Sequence, residues 1–241
     1  MVHPGDKIEV PVYTTSGPEP VTSAAPGTTP AGPVVVPQCA LPNPTTLGSP
    51  SEMGEGHFFG TTPFSHMTFD LKESGLRVKS EFSIRLKTTS GNGIIFYVSD
   101  TRHKDFLALF MKQGQVFFSF DCGTGEAVIS STKTYDDGQC HTVLFKRHLK
   151  QGMLEIDGEM IGDDLSKGGA RSLNVQPIYY LGGLPEDFGK NAARNLMGIK
   201  TAFQGCLADF SKEGAPFTQD PSTQNDVRKC FSADYEEGSF F

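Results

Sequence analysis

After Cys39 the chain breaks into short apolar runs separated by turn residues. HMTFDL (66–71), EFSIRLKT (81–88), GIIFYVS (93–99), FLALFMK (106–112), QVFFSF (115–120), HTVLFKR (141–147) and MLEIDG (153–158) read as β-strands, rich in Phe, Val and Ile. IYYLGG (178–183) and QGCLADFS (204–211) extend the series. Side chains alternate faces along a strand, so period two selects the inward residues. The expected core is Phe82 and Ile84, Ile95, Leu107 and Leu109, Phe118 and Phe120, Val143 and Phe145, and Leu154 and Ile156, with the opposite face of each strand wet. KQGQ (112–115) and LKQGM (149–153) read as hairpin turns with Gly available for positive φ. No window longer than about eight residues carries helical periodicity. Regularly spaced strands without helices predict an all-β antiparallel sandwich or barrel. No internal repeat is visible.

The pattern is different upstream. Residues 14–37 (TTSGPEPVTSAAPGTTPAGPVVVP) cannot bury enough apolar surface to offset chain entropy, so residues 1–38 are expected to be a disordered linker. Ser and Thr among prolines also suit an O-glycosylated stalk. The domain is expected over 39–235, and the acidic stretch at 236–241 starts a connection to a following module.

Composition narrows the class. The absence of Trp, with 19 Phe and 27 Gly, fits a Phe-packed β core with many turns. No apolar run approaches the ~18 residues of a membrane span, so no membrane insertion is expected. MVHPGDKIEV lacks the apolar region of a signal peptide, which fits a cytosolic chain or a fragment of a longer secreted protein; the fragment is the reading adopted. A net charge of −7 argues against nucleic acid as a partner.

The five cysteines are Cys39, Cys122, Cys140, Cys206 and Cys230. None forms a C-x-x-C pair, which argues against a structural zinc site. Cys206 and Cys230 are the natural disulfide, closing a polar loop. Cys122 and Cys140 have two readings: a second bridge, or two small buried apolar residues. Cys39 is expected to pair outside the domain or not at all.

Four blocks in order, HKDFLALFMKQGQVFFSFDCGTG (103–125), DDGQCHTVLFKR (136–147), YYLGGLP (179–185) and FQGCLADF (203–210), resemble a laminin G-like domain, most closely the fourth such domain of a laminin α chain. The resemblance spans Cys39 to the C-terminus. It implies a two-sheet jelly-roll sandwich, concanavalin-like, whose function sits on the rim beside a calcium ion. It also implies secretion into extracellular matrix or basement membrane, and an adjacent laminin G-like module as neighbour. Cys140 stands where the family has Trp.

On that resemblance the calcium ligands are the Asp105 carboxylate, the Cys122 and Ser172 carbonyls and the Asn174 side chain. Calcium takes oxygen ligands, and affinity tracks the number of charged ones. Many laminin modules carry Asp at the position of Asn174, so this site is expected to be weak, in the extracellular ~10⁻⁴–10⁻³ M class. Basic residues flank these positions: Arg102, His103 and Lys104 before Asp105, and Lys167 and Arg171 before the Ser172–Asn174 loop. An acidic glycan would meet metal and cations together, and Arg offers a bidentate fork to carboxylate or sulfate. The implied partners are an α-dystroglycan-type glycan, heparin or heparan sulfate, and sulfatide. KRHLK (146–150), with Lys146, Arg147 and Lys150, is either a second glycan contact or a solvated turn.

The competing functions are a spacer without ligand and a jelly-roll carbohydrate-active enzyme. Retaining glycosidases need two carboxylates ~5–5.5 Å apart, and only LEIDGE (154–159) approaches the required alternation. No G-x-S-x-G, H-E-x-x-H or P-loop occurs, and the chain is read as a binding module, not an enzyme.

Overall fold

A computed structural model describes residues 56–230, apart from the side chains of residues 189–191. The expected linker 1–38, Cys39 and the connection at 236–241 lie outside the described residues. In chain order the strands are β1 (His57–Phe59), β2 (His66–Asp70), β3 (Lys79–Lys87), β4 (Gly93–Ser99), β5 (Asp105–Lys112), β6 (Gln115–Cys122), β7 (Glu126–Ser130) and β8 (Cys140–His148). They continue with β9 (Gln151–Ile156), β10 (Glu159–Leu165) and β11 (Ile178–Leu181), a 3-10 turn (Glu186–Phe188) and one short helix, α1 (Gly189–Asn195). β12 (Gly205–Lys212), β13 (Ala215–Pro216), β14 (Thr223–Asn225) and β15 (Arg228–Lys229) complete the domain.

Two antiparallel sheets form. One runs β10-β9-β8-β3-β12-β1-β15, with β13 on β12; the other runs β14-β2-β11-β4-β5-β6-β7. This is the two-sheet sandwich expected from the strand pattern. The inward residues chosen by alternation are all in the buried cluster between the sheets. β3 shows the rule: Phe82, Ile84 and Leu86 are buried and their alternating neighbours Ser83 and Arg85 are half-exposed. The predicted turn at 112–115 forms with φ of 52° at Gln113 and 80° at Gly114, the primed geometry that matches strand twist.

Three expectations change. The outer faces of β4 and β5 are not wet: β4 is buried along its whole length. Residues 184–199 fold over that face, and Leu184, Ala192 and Leu196 pack on Ile94, Tyr97, Phe106 and Phe110. Second, the positive φ in the turn at 149–153 belongs to Leu149 (54°), not to glycine. Third, no Cys122–Cys140 bridge forms. Cys122 is a buried free thiol and Cys140 is bonded elsewhere. The Cys206–Cys230 disulfide is present, with Cα atoms 6.1 Å apart across 24 residues. It joins β12 to the chain after β15, and closing a loop of that size stabilises by ~3 kcal/mol.

The two glycines of YYLGGLP are explained by close packing. Gly182 has φ +77°, and a Cβ there would lie 2.0 Å from the Phe59 ring. A Cβ on Gly183 would lie 2.1 Å from the Ser65 carbonyl oxygen. Gly182→Ala is therefore expected to cost at least about 2 kcal/mol in urea unfolding. Gly214→Ala, also at φ +77° but with nothing within 4 Å of the new carbon, is expected to cost only about 1 kcal/mol.

Candidate functional site

Three loops meet at one end of the sandwich. The β4–β5 loop is tight: Asp100 N–H donates to the Asp105 carbonyl (2.8 Å), and Lys104 N–H donates to Asp100 Oδ1 (2.7 Å). The β6–β7 loop is an Asx-type turn, in which Asp121 Oδ1 accepts from Gly123 N–H (2.7 Å) and Gly125 N–H (2.9 Å). The segment 166–174 is clamped onto it. Ser166 Oγ accepts from Cys122 N–H (3.1 Å) and donates to the Gly125 carbonyl (2.7 Å). Thr124 Oγ1 donates to the Lys167 carbonyl (2.9 Å) and accepts from Ala170 N–H (3.2 Å). Leu173 is buried and its N–H donates to the Arg77 carbonyl (3.0 Å), which anchors the far end of the segment.

Asp105 stands where the loops converge. It shares the strand parity of Leu107 and Leu109, so it faces inward, but as the first residue of β5 it lies at the rim. Cys122, of the parity of Phe118 and Phe120, is its register partner across β6. Asn174 reaches it from the third loop: its N–H donates to Asp105 Oδ2 at 2.7 Å and its side-chain amide at 3.3 Å. Ser172 is half-buried two residues before. Asp105 and its register partner Cys122 thus meet Asn174 at the rim, with Ser172 two residues before Asn174 on the same loop.

Burial raises the Asp105 carboxyl above its ordinary range, against the lowering by the Asn174 donors. The negative charges of Asp100 and Asp121 push the same way. A partly desolvated carboxylate among like charges is stabilised by a cation. The other oxygen, Oδ1, faces Gly123, where φ is +97° and a Cβ would come within 2.5 Å of it. Glycine there leaves that oxygen's approach clear. The chemistry of the set, one carboxylate with amide and carbonyl oxygens nearby, suits a hard divalent ion such as calcium.

The basic residues divide. Arg102 and Lys104 are exposed on the β4–β5 loop, and Lys167 and Arg171 are exposed on the clamped segment. Lys150 joins that segment through its Nζ, which donates to the Gly168 carbonyl (2.9 Å). Lys146 does not belong to this group. It pairs with Glu81 (3.5 Å) along the β8–β3 register, on the outer face of its sheet.

One expected glycan contact, Arg147, is corrected, and a second, His103, is held by other groups. Arg147 is only 1% exposed, and its guanidinium donates to the carbonyls of Leu76 and Leu149. Val143, Phe145 and Arg147 share one parity, so the alternation rule itself placed this cation inside. His103 is held beneath the loop: Nδ1 lies 3.0 Å from Tyr97 Oη and 3.1 Å from Ser99 Oγ, and its ring meets Phe188 edge-on at 4.8 Å. Burial lowers its pKa, partly offset by Asp100. Its carbonyl accepts from Asn195 Nδ2 (2.9 Å), so it ties α1 to the rim loop.

Residues not anticipated are Asp121, Thr124 and Ser166. Asp121 was legible, since Asp followed by Gly at the second and fourth positions marks a side-chain-capped turn. Thr124 and Ser166 carried no local signal, because their partners lie about 40 residues away: Thr124 bonds Lys167 across 43 residues, and Ser166 bonds Cys122 across 44.

The laminin G domain family profile matches residues 86–214. The chain is 33% identical to mouse laminin subunit alpha-4 over 194 residues, covering 80% of this chain and 10% of that protein. Mouse laminin subunit alpha-1 is 28% identical over 216 residues, 89% of this chain and 7% of that one. Rat pikachurin is 30% identical over 167 residues, 66% of this chain and 16% of that protein. The chain thus spans a sixth or less of the length of these relatives. Domains LG4-5 of the mouse laminin alpha1 chain superpose with a TM-score of 0.68 at 27% identity, over 73% of this chain and 47% of that one.

The division of the cations is measurable. Arg147→Ala removes the guanidinium donors of the Leu76 and Leu149 carbonyls from a buried site and is expected to lower stability by about 2–4 kcal/mol in urea unfolding. Arg171→Ala, on the exposed rim, is expected to stay within about 0.5 kcal/mol of the parent.

Proposed function

Because the chain belongs to the laminin G domain family, we propose that it is a non-enzymatic adhesion module of the extracellular matrix. It holds acidic cell-surface glycans through a rim calcium ion and the basic residues around it. The observation that carries this reading is the convergence of Asp105, Asn174 and the end of β6 on one partly buried carboxylate. The Asp105 carboxylate, the Asn174 amide oxygen and the Cys122 and Ser172 carbonyls are the groups that would hold calcium. When bound, the ion supplies a fixed positive charge to which carboxylate, sulfate or phosphate groups of a glycan are attracted.

The chain's own residues do the rest. Asp105 and the Asn174 N–H hold the third loop against the start of β5. Arg102, Lys104, Lys150, Lys167 and Arg171 provide the surrounding cations. α-Dystroglycan-type glycan, heparin or heparan sulfate, and sulfatide share the required chemistry. A single charged ligand places calcium affinity in the weak extracellular class, ~10⁻⁴–10⁻³ M. The secreted, basement-membrane location and the adjacent laminin G-like module belong to the same proposal.

A solid-phase heparin-binding assay with and without EDTA tests it, alongside calcium titration calorimetry. Asp105→Ala is expected to abolish calcium binding and the chelator-sensitive part of glycan binding, with the fold retained by circular dichroism. Gly123→Ala crowds Asp105 Oδ1 and is expected to weaken calcium binding at least about tenfold. Arg171→Ala and Lys167→Ala should weaken glycan binding while leaving calcium binding intact. Binding should fall as salt rises, because exposed charges are screened over ~8–10 Å. Glycan binding indifferent to chelator and to Asp105→Ala would leave the spacer reading.

A further inference from the structure

The sandwich is not closed in the same way along its two long edges. On one side β7 and β10 meet, and Asp164 Oδ2 of one sheet accepts from Val128 N–H of the other at 3.0 Å. On the other side the edge strands β14 and β15 have only 3 and 2 residues. There a pocket of about 390 Å³ opens between the sheets. It shares no residue with the calcium rim. Met67, Ile84, Leu181 and Leu207 form its apolar depth.

Its mouth has a distinct chemistry. Phe69, Phe210 and Phe217 gather there, with ring centroids 5.2 Å apart for Phe69–Phe217 and 5.1 Å for Phe210–Phe217. Phe210 and Phe217 remain half-exposed. The bulge in β12 places Asp209 at φ 51° on the pocket lining, bonded to Arg85 at 2.7 Å. Asp220 also lines the mouth and takes part in no ion pair among the described residues. No Lys or Arg is among the lining residues. Residues 217–222 bridge the opening, fixed at both ends: Phe217 N–H donates to the Phe210 carbonyl (2.9 Å) and Ser222 N–H to the Thr68 carbonyl (2.8 Å).

We propose that this pocket is a second binding site, independent of the metal, for an alkyl quaternary ammonium group. Aromatic rings attract such a cation through their negative faces, and the weak hydration of its methyl groups makes entry into an apolar mouth inexpensive. The uncompensated Asp220 carboxylate adds charge complementarity. The apolar depth takes the alkyl chain, and the volume lies within the range of small-molecule sites. An anionic head on the same chain would face the Asp220 carboxylate, with Asp209 already paired to Arg85, and is disfavoured.

The probe is n-octyltrimethylammonium, with n-octyl sulfate as the anionic control, both below micellar concentration. The chain has no Trp, so Thr218→Trp at the exposed mouth gives a fluorescence reporter without background, and calorimetry on the parent checks it. The ammonium is expected to bind one-to-one and at least about tenfold tighter than the sulfate. Asp220→Lys, at an exposed position, should lose most of this preference. Met67→Phe should block the apolar depth; if it fails to fold, Asp220→Lys decides alone. Binding should be unchanged by EDTA and by Asp105→Ala, so this site and the calcium rim stand or fall separately. Equal binding of the sulfate, no saturable binding of the ammonium, or parental affinity in Asp220→Lys overturns the proposal.

Discussion

The rest of this structure depends on the packing of phenylalanine across the gap between two sheets. Phe82 of β3 stacks on Phe145 of its own sheet (5.4 Å) and meets Phe96 (4.9 Å) and Tyr179 (5.7 Å) of the facing one. Paired aromatic rings gain by offset and edge contacts beyond their buried area. In a protein without Trp these rings set the spacing of the sheets. Positions where something larger than a ring-filled gap would intrude are therefore glycine, as at Gly182 beneath Phe59. The rings continue through Phe210 to Phe217 at the β14 and β15 side, where short edge strands leave the gap open as a pocket.

The same packing makes the rim. A strand residue of inward parity is buried at mid-strand and half-exposed at the end. Asp105 occupies such an end position, opposite Cys122, which stays buried. The carboxylate is therefore desolvated enough to want a cation and open enough to receive one. Its raised pKa expresses that balance, with burial as the leading cause. Arg147 obeys the same geometry with the opposite result. Two residues before Leu149 it is fully inside, and its guanidinium donates to main-chain carbonyls.

The cations that remain on the rim come from segments far apart in sequence, held together by neutral hydrogen bonds of Thr124 and Ser166. Their charges sit in a molecule of net charge −7. In the proposed function, attraction of a polyanion is thus local and would rely on these clamped loops more than on the overall field.

The strands, the inward set and the turn at 112–115 were legible because period-two alternation and Gln-Gly turn chemistry are local properties. The parity of Val143 and Phe145 even carried the burial of Arg147, although a run of basic residues reads more readily as surface. The anchoring of His103 was not local, since it is made by Phe188 and Asn195, about 90 residues downstream. Nor was the covering of β4 and β5, because a helix of 7 residues gives too little periodicity to register. The sequence by itself determined which residues alternate inward, where the chain turns and which carboxylate stands at a strand mouth, since these follow from backbone geometry over a few residues. Only the tertiary structure decided that Asn174 reaches Asp105, which cations stay free of partners and where the two sheets fail to close, because each depends on segments brought together across the whole domain.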